Sequence, residues 1–244
     1  MIDMSKAAAV ELAPTGVLRA AINLSNFLLV TGKKENGNPT GVAPDLAAAI
    51  AKDLEVDLCY VVFDTPGELA DAVVNDSWDI GLIGAEPARA QHIDFTAAYV
   101  EIEATYLVAS DSNVQAITDI DQVGFRIAVA ARSAYDLYLT RHLQYAELVR
   151  AEGLDGSYDL FVREKLDALA GLKPRLLSDL ERLKDARILE GRFTAVQQAI
   201  GTPTDRPVGL TYLREYVESA KVSGLVAELI AKHGVEGLSV VRAD

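Results

Sequence analysis

The sequence predicts an α/β protein of two lobes, each a mostly parallel sheet flanked by helices. Strand-like and helix-like segments alternate between residues 16 and 84, a rhythm typical of β-α-β units. The rhythm starts again near residue 104, and two helix-like segments close the chain. Open sheets of this class bind ligands at the carboxyl ends of their strands, so we expect a ligand cleft between the lobes.

The first lobe is predicted from apolar and amphipathic segments in turn. GVLRAAINL predicts a strand, SNFLLVTGKKENGNPTG a loop with a turn, and PDLAAAIAKDL a helix with Pro44 in its first turn. EVDLCYVVFD is rich in β-branched and aromatic residues and predicts the next strand. TPGELADAVVNDS predicts a helix capped by Thr65, with Glu68 at its third position, before the strand WDIGLIG.

The second lobe begins with two predicted strands, ATYLVAS and FRIAVAA. SAYDLYLTRHLQYAELVRA predicts one long helix from Ser133, and SYDLFVREKL, DALAGL and a charged stretch predict a helix, a short strand and a surface helix with a turn. TAVQQAIGT predicts the strand that returns the chain to the first lobe. The predicted lobes are residues 1–108 with 197–244, and residues 109–196, joined by two hinge strands.

Composition excludes several kinds of partner. The net charge of −13, from 23 basic and 36 acidic residues, would repel nucleic-acid phosphates and anionic lipid. No apolar run approaches the roughly 18 residues that span a bilayer, so no membrane insertion is expected. Cys59, the single cysteine, lies in an apolar run and is predicted to be a core residue. The three histidines are scattered, so neither a metal nor another cofactor is expected.

The first residues, MIDMSKAAAVELAPTG, lack the basic region and the long apolar region of a signal peptide. Two interpretations stay open from the sequence alone. The chain is a cytoplasmic protein that starts at Met1, or it is the mature part of an exported protein.

Five segments occur in an order that is known from one family: GVLRAAIN, PTGVAPDLAAAIAKDLEVD, SWDIGLIGAEPARAQHIDFTAAY, GFRIAVAARS and REKLDALAG. Together they resemble the type-3 extracellular solute-binding proteins, the polar amino-acid receptors of ABC importers, which have the type II periplasmic-binding-protein fold. The resemblance extends from Gly16 to about Gly237. It implies a monomeric periplasmic receptor that closes two lobes on a small carboxylate solute by a hinge motion and docks on an ABC permease.

In that family the arginine of the third segment holds the ligand's α-carboxylate, and the resemblance places this role on Arg89. A guanidinium offers a planar fork of donors to a carboxylate and keeps its charge in a cleft. We expect the backbone N–H groups of Gly84 and Ala85 to complete an anion-binding nest. From residue type alone, the alternative is a surface ion pair of Arg89 with Glu86 or Asp94.

The resemblance implies further ligand contacts. Ser133, at the family's threonine position, offers its hydroxyl and amide at a helix start, or it is a simple N-cap. Arg132, where the family usually has glycine, adds a second cation near the cleft or is a solvated side chain. In the loops after the first two strands, the expected contacts are Asn23, Asn26, Phe27 and Asp64, with core packing as the alternative for the phenyl ring.

One position departs from the family. Many amino-acid receptors carry an aspartate there that pairs with the ligand's α-ammonium, whereas here Leu172 occupies the position and Lys173 follows. Three interpretations stay open. Another acid such as Glu101 or Glu103 supplies the charge, the ligand lacks an α-ammonium, or Lys173 points to solvent while carbonyl groups hold the ammonium. Lys173 is kept among the expected ligand contacts.

The leading prediction is a binding protein without catalysis. One alternative is an enzyme resembling the cyclohexadienyl and arogenate dehydratases of the same scaffold, with Glu101, Glu103 or Lys173 as general acid. A cytoplasmic ligand sensor is the other. Gln197 and Gln198, in the returning strand, either reach the ligand or tie the two crossover strands together.

Overall fold

The computed structural model describes residues 4–243 and divides the chain into two compact units. Unit 1 consists of residues 1–101 and 197–244, and unit 2 of residues 102–196. The chain thus passes between the units at 101/102 and 196/197, whereas the predicted lobe limits are 108/109 and 196/197.

The elements have the following bounds. The helices are α1 (Met4–Leu12), α2 (Val42–Asp53), α3 (Pro66–Asp71), α4 (Ala134–His142), α5 (Gly153–Glu164), α6 (Lys173–Arg182), α7 (Pro207–Val222) and α8 (Leu225–Lys232). The strands are β1 (Val17–Asn23), β2 (Gly32–Lys33), β3 (Pro39–Thr40), β4 (Asp57–Phe63), β5 (Ile80–Gly84), β6 (Ile93–Phe95), β7 (Val100–Ala109), β8 (Arg126–Ala130), β9 (Glu147–Ala151), β10 (Ala168–Leu172), β11 (Ala186–Ile188), β12 (Thr194–Pro203) and β13 (Ser239–Val240). Short 3₁₀ turns span Ala72–Asn75 and Ile117–Asp119.

The unit 1 sheet has the strand order β4-β1-β5-β12. β1 is parallel to both β4 and β5, whereas β12 is antiparallel to β5 and also to β6. The helices bury the apolar faces of this sheet, and Leu18, Ile22, Ile50, Ile80 and Leu213 are fully buried in the resulting core. The carboxyl ends of the three parallel strands lie along one edge of the sheet.

In unit 2, β10 is antiparallel to β7 and parallel to β8, and β9 is parallel to β8. β11 is antiparallel to β7. A separate core includes Leu107, Phe161, Leu169 and Leu176. Both units therefore combine a sheet with flanking helices, and the predicted α/β class is confirmed. Within residues 4–243, no helix has the length and apolar character needed to cross a membrane.

Three local predictions are corrected. The long helix predicted from Ser133 ends at His142, and Glu147–Ala151 is instead the strand β9. α1 was not predicted; it packs on α7, where a Cβ on Gly209 would lie 2.7 Å from the Leu12 side chain. Cys59 is exposed rather than buried, because β4 is the edge strand of its sheet.

Candidate functional site

The carboxyl edge of the unit 1 sheet carries the site residues expected from the first lobe. β1 and β5 are parallel neighbours, with Ile22 opposite Leu82. The loops that follow Asn23 and Gly84 therefore leave the same edge of the sheet. Asp64 follows β4, which is also parallel to β1, so it lies at the same edge of the sheet. Asp64 is exposed.

Arg89 is buried just beyond the end of β5. Only 6% of the residue is exposed, and its Nη1 donates to the Gly84 carbonyl at 2.6 Å. The Arg89 N–H donates to the Glu86 carbonyl at 2.9 Å, and the Arg89 carbonyl accepts from His92 at 3.2 Å, so a compact turn fixes the residue. Burial removes the cation from water, and a carboxylate is the anion that its planar donor set fits best. Such burial is unlike that of a solvated surface cation.

The expected anion nest of Gly84 and Ala85 is corrected in part. The Ala85 N–H donates to the Gln197 carbonyl at 2.7 Å, because the antiparallel pairing of β5 and β12 continues one residue past Gly84 and Gln198. This amide is therefore occupied by the sheet and is not offered to an anion. The Gly84 carbonyl accepts from Arg89 instead. A ligand contact by the Gly84 amide stays a prediction.

In the loop after β1, the side-chain oxygen of one asparagine accepts hydrogen bonds and that of the other does not. The Asn23 Oδ1 accepts from the Ser25 N–H at 3.1 Å and from the Ser25 hydroxyl at 2.8 Å, so Asn23 shapes the turn. Phe27 is 37% exposed, so its ring is not part of the core. Asn26 is 7% exposed, and its Oδ1 has no hydrogen-bond partner among the described residues.

Thr65 has the predicted capping role. It forms a reciprocal capping box at the start of α3: the Glu68 N–H donates to the Thr65 Oγ1, and the Thr65 N–H donates to Glu68 Oε2, both at 3.2 Å. The prediction that TPGE begins a helix is therefore confirmed.

In unit 2, Ser133 is the N-cap of α4 and is 8% exposed. Its Oγ accepts from the Asp136 N–H at 3.1 Å, and its own N–H donates to the Ala130 carbonyl at 3.3 Å. The N-cap interpretation is thus observed, while a ligand contact by the hydroxyl stays a prediction. A ligand contact by the Ser133 amide also stays a prediction.

Arg132 has an exposed side chain and a left-handed backbone, with φ of +60°. Its N–H donates to Asp136 Oδ2 at 2.8 Å, and Asp136 is itself only 2% exposed. Arg150 neutralises that carboxylate at 2.9 Å from Oδ1. Sequence reasoning missed this Asp136–Arg150 pair; an aspartate three residues after an N-cap serine was the available signal.

Lys173 follows the carboxyl end of β10, beside β8 and the Arg132–Ser133 turn. Its Nζ lies 2.9 Å from Glu103 Oε2, and the two side chains are 41% and 42% exposed. Arg192 approaches the same carboxylate at 3.8 Å. Glu103 therefore neutralises Lys173, which weakens the interpretation that Glu103 supplies the charge for an ammonium. The pair is solvated, unlike the isolated acid that general acid catalysis favours.

Gln197 links the two points at which the chain leaves unit 1 and returns to it. Its Nε2 donates to Glu101 Oε2 at 3.0 Å. Glu101 is the last residue of unit 1 before the first passage, and Gln197 is the first after the second. The structural alternative for Gln197 therefore agrees with the observed contact.

No group of three or more His, Cys, Asp or Glu side chains within residues 4–243 is arranged to hold a metal ion.

Comparison with known proteins gives a family match over most of the chain. Residues 25–236 match the bacterial extracellular solute-binding proteins, family 3. The chain is also similar to the amino-acid-binding protein AabA of Dichelobacter nodosus, at 28% identity over 106 residues. That alignment covers 43% of this chain and 42% of the relative.

Solved structures of the same fold align with this chain over most of its length and of their own. A mutant of ArgBP from T. maritima superimposes with a TM-score of 0.74 at 22% identity, over 94% of this chain and 100% of the other. The ancestral amino acid-binding protein AncCDT-1, a precursor of cyclohexadienyl dehydratase, gives 0.71 at 22% identity, over 91% and 97%. At this level of identity the likeness establishes the fold.

Proposed function

Because the chain belongs to the bacterial extracellular solute-binding proteins, family 3, we propose that it captures an amino acid or a related small carboxylate for an ABC importer. The similar proteins named above include amino-acid-binding proteins, which supports this ligand class. The periplasmic location, the hinge closure, the permease and the monomeric state implied by the resemblance stay predictions.

The burial of Arg89 carries this function. Arg89 is only 6% exposed, and it lies just beyond β5 at the carboxyl edge of the sheet, where open α/β sheets bind their ligands. A carboxylate engages two of its N–H groups at once, which gives both strength and orientation. The Ser133 hydroxyl at the start of α4 and the Arg132 side chain are the contacts we propose from unit 2.

Titration calorimetry with L-amino acids and 2-oxo acids tests the role of Arg89. We expect Arg89→Ala to weaken the tightest ligand by about a hundredfold or more, because removing one partner of a buried charge pair costs about 2–5 kcal/mol. Arg89→Lys keeps the charge but not the fork and should give an intermediate loss. Arg214→Ala, which removes an exposed arginine of α7, is the control.

Unchanged affinity in Arg89→Ala would remove Arg89 from the site. If no carboxylate binds the unaltered protein, the function itself is wrong.

Catalysis is not part of this function, and the solvated Lys173–Glu103 pair gives no support to the enzyme alternative. Incubation with prephenate and with arogenate provides the check. Aromatic absorbance appearing faster than in a protein-free sample would establish a dehydratase instead.

A further inference from the structure

Asn26 carries a buried acceptor to which the protein supplies no donor. The residue is 7% exposed, and no described residue donates to its Oδ1. The backbone of Asn26 is engaged in the turn: its N–H donates to the Asn23 carbonyl at 3.4 Å, and its carbonyl accepts from Leu29 and Val30 at 3.0 and 2.9 Å. The turn therefore fixes the backbone of the residue, while its side-chain oxygen receives no hydrogen bond from the described residues.

An unmet acceptor of this kind costs stability. A buried carboxamide without a partner loses its hydrogen bonds to water and gains none in return, whereas leucine, of similar size, would fill the space without that cost. The neighbouring Asn23 shows the usual solution, since its Oδ1 accepts two hydrogen bonds. Native folds keep few such exceptions, and a missing ligand is one explanation for them.

The position of Asn26 matches that of Arg89. Asn26 follows β1 and Arg89 follows β5, and these strands are parallel neighbours in unit 1. Both residues are more than nine-tenths buried at the same edge of that sheet. One offers a cation and the other a carbonyl acceptor. An α-amino acid presents the complementary pair, a carboxylate and an ammonium, on a single carbon atom.

The acids of unit 2 do not fill the acceptor role. Leu172, at the position where many receptors have aspartate, is apolar and 7% exposed. Glu103 already neutralises Lys173 at 2.9 Å. Glu101, the other acid considered for this role, accepts from the Gln197 side chain at 3.0 Å. An acceptor in the loop after β1 would therefore add to what these positions offer an ammonium.

Building on the proposed function, we propose that Asn26 Oδ1 accepts a hydrogen bond from the ligand's α-ammonium, so that the protein selects amino acids over the 2-oxo acids with the same side chain. Because the carboxamide is neutral, it recognises the ammonium by direction rather than by charge. The selectivity follows from an acceptor that is satisfied by an amino acid and left unmet by a 2-oxo acid.

The test compares matched ligand pairs on the whole chain. The probes are the L-amino acids and their 2-oxo acids, measured by calorimetry against the unaltered protein, Asn26→Leu, Asn26→Asp and the control Asn38→Leu, an exposed asparagine before β3. We expect the unaltered protein to prefer the amino acid of a pair. Asn26→Leu should weaken the amino acid by on the order of ten- to a hundredfold and leave the 2-oxo acid nearly unchanged.

Asn26→Asp separates an acceptor from a donor. It keeps an acceptor oxygen, replaces the amide nitrogen with a second acceptor and adds a negative charge, so the amino acid should bind at least as tightly and the 2-oxo acid more weakly. The melting temperature of ligand-free Asn26→Leu should stay the same or rise, since an unmet polar group is removed. A purely structural asparagine would instead give a lower melting temperature.

Three outcomes would overturn the inference alone: equal binding of both members of each pair to the unaltered protein, equal losses for both in Asn26→Leu, or lost amino-acid binding in Asn26→Asp. Failure of every probe to bind the unaltered protein would overturn the proposed function and this inference with it.

Discussion

At the scale of single residues, Arg132 has a backbone conformation that costs stability. Its φ of +60° lies in the left-handed region, where a side chain costs roughly 1–2 kcal/mol relative to the right-handed region. The Asp136 carboxylate holds the strained turn through the Arg132 N–H at 2.8 Å. Glycine, which the family usually has here, would adopt this turn without strain. The turn alone therefore does not require an arginine at this position.

We expect Arg132→Gly to raise the free energy of unfolding of the ligand-free protein by about 1 kcal/mol, because the strain disappears. The measurement is chemical denaturation. Arg214→Gly, within the exposed face of α7, is the matched substitution and should lower the same quantity by about 1 kcal/mol. A loss of stability in Arg132→Gly would show that the arginine side chain stabilises the turn.

Some residues have roles that depend on contacts which the sequence does not show. The resemblance implies a ligand role for Arg89, which stays a prediction, and the structure shows Arg89 in a buried turn. Ala85 was misjudged because its amide depends on how far β12 pairs along β5, and β12 lies far along the chain. The Asn26 side chain was an expected contact, but its lack of a donor is visible only in three dimensions.

At the scale of elements, α4 combines a cap with a proposed ligand contact. Ser133 stabilises the helix by accepting from the Asp136 N–H, and the positive end of the helix dipole lies at the same point. One side chain can thus affect both folding and binding, and the two effects can be separated by substitution.

Ser133→Ala should lower the free energy of unfolding by about 1 kcal/mol because the cap is lost, and it should also weaken a carboxylate ligand. Ser133→Asp should retain the cap and the stability, since aspartate caps as well as serine. Its charge should nevertheless repel the ligand's carboxylate and reduce affinity further than alanine does. Denaturation and calorimetry on both variants check this. Equal affinities in the two variants would place Ser133 away from the ligand.

Elements were predictable where local signals agreed with tertiary packing. The capping box at α3 is local, so TPGE predicted it correctly. Residues 147–151 also fit a helical pattern, but they pair with β8 as an edge strand, and that contact decides their state. α1 has little sequence signal of its own, and it depends on a close approach of Leu12 to Gly209 in α7. Long-range contacts therefore account for the missed elements.

At the scale of the whole molecule, carboxyl groups with shifted pKa values make the free energy of unfolding depend on pH. Burial alone raises the pKa of Asp79, but hydrogen bonds from Arg19 and Arg206 outweigh it and hold that pKa below its usual value. Asp45 behaves in the same way: burial raises its pKa, and Lys232 and His233 lower it further than burial raises it. For Asp179 burial outweighs the arginines beside it, and its pKa is raised.

The sign follows for each carboxyl group. A carboxyl group with a lowered pKa stabilises the fold fully above the pKa of the unfolded state, about 4, and this stabilisation is lost as the pH falls through the pKa of the folded state. A carboxyl group with a raised pKa destabilises the fold once it ionises. We therefore expect the melting temperature to fall steadily below about pH 4. Asp79→Asn should lower the free energy of unfolding at pH 7 by about 3 kcal/mol and flatten the acid dependence. Asp57→Asn, on the exposed edge strand, is the control. An acid dependence unchanged in Asp79→Asn would exclude this carboxylate as its source.

The discontinuity of unit 1 has a consequence for biosynthesis. Residues 198–203 of β12 pair with β5 and β6, yet residues 102–196 lie between them along the chain. As the ribosome releases the polypeptide, β1, β4 and β5 emerge first and must wait for a strand that is translated after all of unit 2. Unit 2 is continuous and can fold while the earlier strands still expose apolar surface. The segment that is translated first, with β1, β4 and β5, is therefore the most prone to aggregation until β12 has been translated.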